Sequence, residues 1–360
     1  MYYKRIGLII SFFLILSISC SKKKLKIERA FYYWKSNYSI LNENEWVCLD
    51  TLKIQKLYVK FFEVEKDSVF GNKPFAKSRL QLNYFNPNTI DSIFKMKIKV
   101  FEELQIIPVI FIKNEVFLSS TNKDLEILAD NINYLINKYY QNGFSKGNSN
   151  FYEIQIDCDW TVKSKENYFY FLKELKKKSK KNISCTLRLY PYKYSNKLGV
   201  PPVNRVTLMC YNLTNFNENK NAIQDNYELE LYLKETKNYP IPIDIALPAF
   251  SYVKAYQYNK FVRFINIENI DLNSIATPID QMWYEIKKDI ELDNIYLRIG
   301  DKIKIEEGSE KETKKTIKLL KKYVKLNDST TIAFFNLSDE GIKKYTYETY
   351  NTFFKSFSSE

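Results

Sequence analysis

Tyr152-Glu153-Ile154-Gln155-Ile156-Asp157-Cys158-Asp159-Trp160-Thr161 is the stretch on which the fold of this chain is decided. Successive strand residues point to opposite sides of a sheet, so Gln155, Asp157, Asp159 and Thr161 share one face. Ile154, Ile156, Cys158 and Trp160 share the other. An apolar face of this kind packs under helices, and the polar face then turns toward an enclosed interior, with two carboxylates at its far end.

Working outward, this run is the fourth of eight that are rich in β-branched and aromatic residues. They are Ala30 to Trp34, Leu57 to Val64, Ile106 to Ile112, Tyr152 to Asp157, Ile183 to Leu189, Val206 to Tyr211, Ile241 to Leu247 and Thr331 to Phe335. Between the third and fourth, Asp124 to Tyr140 carries Leu125, Leu128, Ile132, Leu135, Ile136 and Tyr139 at helical spacing, with Gly143 beyond the end. Lys163 to Lys180, Asp225 to Lys237, Lys311 to Lys325 and Asp339 to Phe354 are further predicted helices. Eight strands alternating with helices run parallel, and eight is the number that closes such a sheet into an α/β fold of the (β/α)8 TIM barrel type. An open doubly wound sheet is the competing arrangement. No GxGxxG or GxxxxGK[ST] occurs anywhere, so nucleotide binding has no support.

The gap between the seventh and eighth runs exceeds what one helix needs. Residues 252–309 hold short strand-like pieces, Lys260 to Ile267 and Ile295 to Glu306, and read as a small α+β insertion on the barrel rim. The barrel as a whole is placed at residues 28–360.

Composition narrows the chemistry. Among 360 residues there is no histidine, which excludes Ser-His-Asp and Cys-His catalysis, His-ligated metals and imidazole pH switching. Carboxylates, Lys, Tyr or Cys must carry any reaction. Cys48, Cys158, Cys185 and Cys210 match no metal-binding spacing, and three of them fall in apolar strand-like runs, where a thiol packs as a small hydrophobe. Their pairing is left open by spacing. No metal and no cofactor is expected.

The amino terminus reads Lys4-Arg5, an apolar run from Ile6 to Ile18, then Ser19-Cys20-Ser21-Lys22-Lys23-Lys24. The run falls short of the roughly 20 residues that span a bilayer, so residues 1–19 read as a signal peptide. Leu16-Ser17-Ile18-Ser19-Cys20 resembles the bacterial lipobox, which implies lipidation of Cys20 and a tether over residues 20–27. Removing residues 1–19 takes away Lys4 and Arg5 and lowers the net charge from +13 to +11. The remaining basicity is spread through the chain, which fits solvated faces and nearby anionic lipid rather than nucleic acid. The absence of an acidic run after Cys20 favours the periplasmic face of the outer membrane within the cell envelope.

Asp157-Cys158-Asp159-Trp160 resembles the fourth-strand motif D-x-x-D-x-D-x-E of family 18 glycoside hydrolases, the chitinase-like barrels. Met209-Cys210-Tyr211-Asn212 resembles that family's M-x-Y-D, and Ala246-Leu247-Pro248-Ala249-Phe250-Ser251 its G-L-P-x-Y-G. The pattern is also similar to bacterial lipoproteins carrying a glycoside-hydrolase-like barrel. The resemblance implies a (β/α)8 barrel that binds, and in active members hydrolyses, a carbohydrate or cell-envelope glycan. Three positions depart from it: Ile154 stands at the first Asp, Thr161 at the proton-donating Glu, and Asn212 at the Asp of M-x-Y-D. A Thr hydroxyl is no general acid near neutral pH. The last strand also lacks a Trp to floor a sugar site.

Candidate catalytic residues are Asp159, Asp157 and, from the second run, Glu63, as an acid-base pair of carboxylates. If Lys60 faces inward, strict alternation turns Glu63 and Glu65 outward. Trp34, Trp160, Tyr211, Asn212 and Arg188 are the candidate substrate-binding residues, the aromatics as stacking platforms. Trp46 and Trp283 read as packing residues. Asp157 has a second reading, in which Asp157, Asp244, Arg188 and Lys60 form one closed network of buried pairs. Two functions stay open: a glycoside-hydrolase-like enzyme, and a non-catalytic glycan-binding or envelope protein-interaction lipoprotein on a degenerate barrel.

Overall fold

The computed structural model describes residues 25–358 apart from 39, 68, 70, 84–90, 146–149, 213–219, 237, 266 and 268–269. The signal peptide, Cys20 and most of the tether therefore lie outside the described residues. All eight expected runs form parallel strands: β1 (Lys26–Tyr33), β2 (Lys56–Asp67), β4 (Gln105–Ile112), β5 (Glu153–Asp157), β6 (Asn182–Leu187), β7 (Arg205–Met209), β8 (Ile243–Pro248) and β16 (Ser329–Phe335). They pair in the order β1-β16-β8-β7-β6-β5-β4-β2, and β1 also pairs with β2, so the sheet closes on itself. The fold is the α/β (β/α)8 barrel.

Local chemistry fixes the helices that wrap it. Asn122–Gly143 starts on Thr121, whose hydroxyl caps Asp124 while the Asp124 carboxylate caps Thr121. The Lys165–Ser179 helix ends at Lys180, which sits in the left-handed region at φ 55°. Asp339 to Phe354 is two helices rather than one, Asp339–Lys344 and Tyr347–Ser358. Tyr345 and Thr346 separate them, and the Thr346 hydroxyl caps the second by accepting from the Thr349 N–H. The sequence also concealed β3 (Gly71–Phe75), which folds back antiparallel along the upper half of β2.

The barrel interior is filled in layers, as closure requires. The lowest is ionic. Lys56 Nζ lies 2.6 Å from Glu28, Arg205 pairs with Asp244 at 3.3 Å, and Ser184 donates to Glu153 at 2.6 Å. Above it Gln155 is fully buried: it accepts from the Tyr32 hydroxyl at 2.7 Å and donates to Thr207 Oγ1 at 3.0 Å. Ala30, Ala246 and Ala333 leave the room that Tyr32 and Tyr58 occupy.

Between β8 and the Glu310–Tyr323 helix, the chain builds β9 (Ser251–Gln257), β10 (Lys260–Phe264), β11 (Ala276–Pro278), β12 (Trp283–Ile286), the hairpin β13 (Ile290–Leu292) and β14 (Ile295–Leu297), and β15 (Lys302–Glu307). Five of these form an antiparallel sheet, β10-β9-β15-β12-β11, with an apolar core of its own around Ala255, Ile275, Ile286 and Ile303. Its opposite face is joined to the barrel by a buried knot. Glu306 Oε1 accepts from Lys254 at 2.7 Å and Lys304 at 2.6 Å, and Glu306 Oε2 accepts from the Ala222 N–H at 3.1 Å.

Gln155→Ala removes a partner from both Tyr32 and Thr207 inside the barrel. The expected cost is about 2–4 kcal/mol, read as a lowered urea midpoint with an unchanged slope.

Candidate functional site

The carboxyl ends of the strands form the barrel mouth, and β5 delivers Asp157 and Asp159 there. Asp157 is buried, and its Oδ1 accepts from the Thr186 hydroxyl at 2.6 Å. Burial pushes its carboxyl up to about 6; Arg188 opposes the rise, while Asp159 and Glu63 add to it. Asp159 stands one layer higher and is exposed. Arg188 grips it with two donors, Nε to Oδ1 at 2.7 Å and Nη2 to Oδ2 at 3.3 Å.

The single closed network of Asp157, Asp244, Arg188 and Lys60 does not form. Arg188 takes Asp159, Asp244 takes Arg205, and Lys60 takes Glu63. The strands of a barrel are staggered, so residues that alternate alike along their own strands come to rest at different heights.

Glu63 also departs from strict alternation. The pairing of β2 with β4 skips Phe61: Lys60 opposes Val109 and Phe62 opposes Ile110. Phe61 and Phe62 both face the helix layer, where they meet Phe144 and Tyr139. This β-bulge resets the phase. Lys60 and Glu63 consequently share the inner face, with Nζ and Oε1 2.6 Å apart, and Lys60 lies over the Trp34 ring at 5.5 Å. Two adjacent phenylalanines interrupting an alternating strand were the available sequence signal.

Trp160 goes to the other side of the sheet. It stacks on Tyr168 at 5.4 Å and donates Nε1–H to the Leu198 carbonyl, so it is a core residue rather than a platform at the mouth. Its place on the apolar face of the alternation already pointed outward. Thr161 opens the turn into the next helix, its N–H donating to Ser164 Oγ at 2.9 Å. The position where the resemblance calls for a proton donor thus serves helix entry.

Trp34 and Tyr211 do meet at the mouth, through a ring that the sequence reading passed over. Phe335 ends β16 where a Trp was missed, and it contacts Trp34 at 5.5 Å, Tyr211 at 5.4 Å, Tyr32 at 5.7 Å and Phe250 at 5.6 Å between ring centres. Among the described residues the Tyr211 hydroxyl is buried with no hydrogen-bond partner, and so is Asn212 Oδ1. Asn212 adopts φ 56°, in the left-handed region.

From Phe335 the aromatics continue across the insertion. Phe250 meets Tyr252 at 5.0 Å, Tyr252 meets Phe264 at 5.0 Å, Phe264 meets Phe261 at 5.2 Å, Phe261 meets Tyr256 at 5.9 Å, and Tyr256 meets Trp283 at 4.8 Å. A register shift between Phe261 and Arg263 brings Phe261 and Phe264 to one face of β10, and both are exposed. Trp283 therefore belongs to a continuous aromatic ribbon leading away from the mouth. Cys48, Cys158, Cys185 and Cys210 are free and buried. Among the described residues no group of ligating side chains is placed to hold a metal ion.

Asp157→Asn tests the buried carboxyl. An acid whose folded pKa lies above its unfolded value destabilises the fold once ionised, so the penalty is absent below about pH 4, grows toward pH 6 and is complete above it. The variant is expected to be about 2–3 kcal/mol more stable than the parent at pH 7.5 and equal to it at pH 4, by urea unfolding at both pH values.

No protein-family model and no curated protein sequence matches this chain. Solved structures do. The spore cortex-lytic enzyme SleL of Bacillus megaterium QM B1551 superposes with a TM-score of 0.55 and 16% identity, covering 92% of this chain and 74% of that one. SleL of Bacillus cereus gives 0.52 and 14%, over 92% and 75%. The GH18 chitinase ChiB of Flavobacterium johnsoniae gives 0.45 and 14%, over 92% and 94%. At such identities the likeness is one of fold, and this chain folds as a glycoside-hydrolase-like (β/α)8 barrel.

Proposed function

We propose that this protein is an exported lipoprotein, anchored through Cys20 in the cell envelope at the periplasmic face of the outer membrane, whose barrel mouth binds a glycan chain without cleaving it. The observation that carries this reading is the state of the mouth carboxylates. Asp159 is held by Arg188 and Glu63 by Lys60, while Thr161 stands at the proton-donor position. Both carboxylates are already engaged by a cation, and the residue two positions beyond Asp159, where the resemblance calls for the proton donor, is a threonine.

Binding is well provided for. Aromatic faces stack on the apolar faces of sugar rings, and Trp34, Phe261, Phe264 and Trp283 are each at least partly exposed. The ribbon from Trp34 to Trp283 is too long for one ring and fits an extended saccharide. The fold shared with cortex-lytic enzymes is consistent with an envelope glycan as the ligand.

A second reading, hydrolysis, is favoured by one feature. The Asp157 carboxyl, pushed up to about 6, can hold a proton close to neutral pH and so serve as a general acid. Titrating the soluble chain, residues 21–360, with envelope and storage glycans separates the two. Trp46 and Trp160 are buried, so a fluorescence change reports on Trp34 and Trp283. Trp34→Ala is expected to weaken binding about tenfold, and Phe264→Ala to weaken only longer oligomers. Turnover by the parent chain that Asp157→Asn abolishes would install the hydrolase reading instead.

A further inference from the structure

We propose that the bottom of the barrel, opposite the mouth, is an electrostatic seat for an anionic lipid bilayer, so that the anchored protein presents its mouth away from the membrane. This inference rests on the reading of Cys20 as a lipid anchor. Its support lies in how the fold sorts charge and in where β1 begins.

Barrel helices run antiparallel to the strands, so their first turns lie at the mouth and their last turns at the bottom. Here acids occupy first turns, as at Asp124, Glu310 and Glu312, and lysines occupy last turns, as at Lys176, Lys177, Lys321 and Lys322. Each choice complements the helix macrodipole. The helices Glu43–Thr51, Ser92–Glu103, Asn122–Gly143 and Asn226–Leu233 carry no basic residue in the last turn, so the basic end of the barrel is built by the Lys165–Ser179, Glu310–Tyr323 and Tyr347–Ser358 helices.

The loops extend it. Exposed Lys180 and Lys325 follow those two helices into the bottom connections. Acids are present at this end too: Glu102 and Glu103 close the Ser92–Glu103 helix, Asp328 precedes β16, and Asp50 pairs with Lys53. Against these four acids stand Lys26, Lys176, Lys177, Lys180, Lys321, Lys322 and Lys325, of which Lys177 and Lys322 also face Glu174 and Glu230 at 3.8 and 3.9 Å.

β1 starts at exposed Lys26, whose N–H donates to the Asp328 carbonyl at 2.9 Å, three residues beyond Lys325. The anchor is thus rooted at the bottom. Six residue steps separate Cys20 from Lys26, a reach of at most about 20 Å. A chain of this length has a radius of gyration of about 20 Å, so a tether of that reach cannot pass around the barrel to bring the mouth against the membrane. Lys22, Lys23 and Lys24 lie within the tether. Lysines held within a Debye length of about 8 Å of an anionic surface are attracted to it.

The chain contains no histidine, so a hexahistidine tag before Ser21 docks it at one point on vesicles containing nickel-chelating lipid. The native thiols from Cys48 onward are buried, so a single introduced cysteine takes a fluorophore selectively. Asn238→Cys marks a bottom loop and Ile279→Cys the insertion at the mouth. On phosphatidylglycerol vesicles with a headgroup quencher, the bottom label is expected to be quenched severalfold more than the mouth label. That difference should fall in 0.5 M salt and in Lys177→Glu/Lys322→Glu/Lys325→Glu, and the untagged triple variant should bind these vesicles about tenfold or more weakly. Equal quenching of the two labels overturns the proposal, and so does a difference indifferent to both salt and the triple variant, since the tether alone would then orient the molecule. The salt arm stands even where the triple variant does not fold. The anchor reading is judged separately, by whether the intact mass of the exported protein shows acyl chains on Cys20.

Discussion

An eight-stranded barrel encloses a space that side chains must fill, and every polar group placed there must find a partner inside it. Most of what distinguishes this protein follows from how that demand is met. The lowest layer does so with opposite charges, Lys56 with Glu28 and Arg205 with Asp244. The middle layer does so through Gln155, whose amide both accepts and donates and so joins strands across the interior. The demand is not met everywhere: among the described residues the Tyr211 hydroxyl and Asn212 Oδ1 at the mouth have no hydrogen-bond partner, and neither does the Tyr58 hydroxyl deeper in the interior.

The fold was readable because its signals are local and repeated. Each strand announces itself by β-branched and aromatic runs, each helix by its apolar stripe, and the count of eight does the rest. The site was less readable because it depends on phase and height. Alternation put Trp160 correctly on the outer face, yet its position at a strand end made it look like a platform. The Phe61 bulge shifted Glu63 to the inside by one residue, which no regular alternation anticipates. The choice of Asp159 over Asp157 by Arg188 depends on the stagger between β5 and β6, a property of the closed sheet and not of either strand. Phe335 was passed over because the resemblance asked for Trp there, whereas a smaller aromatic ring serves when Trp34, Tyr211 and Phe250 crowd around it.

The mouth therefore combines two kinds of surface. One wall is charged but internally neutralised, with Lys60 on Glu63 and Arg188 on Asp159. The other is aromatic and runs on into the insertion sheet, whose own core frees its opposite face for the ribbon. Charge pairs and aromatic rings therefore stand side by side at the mouth.

The closure of the sheet has a consequence for the order in which the molecule can be made. β1 lies between β2 and β16, and Lys26 faces Ser329 across some three hundred residues of chain. Contacts of such separation are slow to form, and here the last strand is also the last to be synthesised. Until it arrives, β1 and β8 are open edges and the interior charges have only part of their surroundings. A chain built in this way cannot complete its barrel until its last strand is in place.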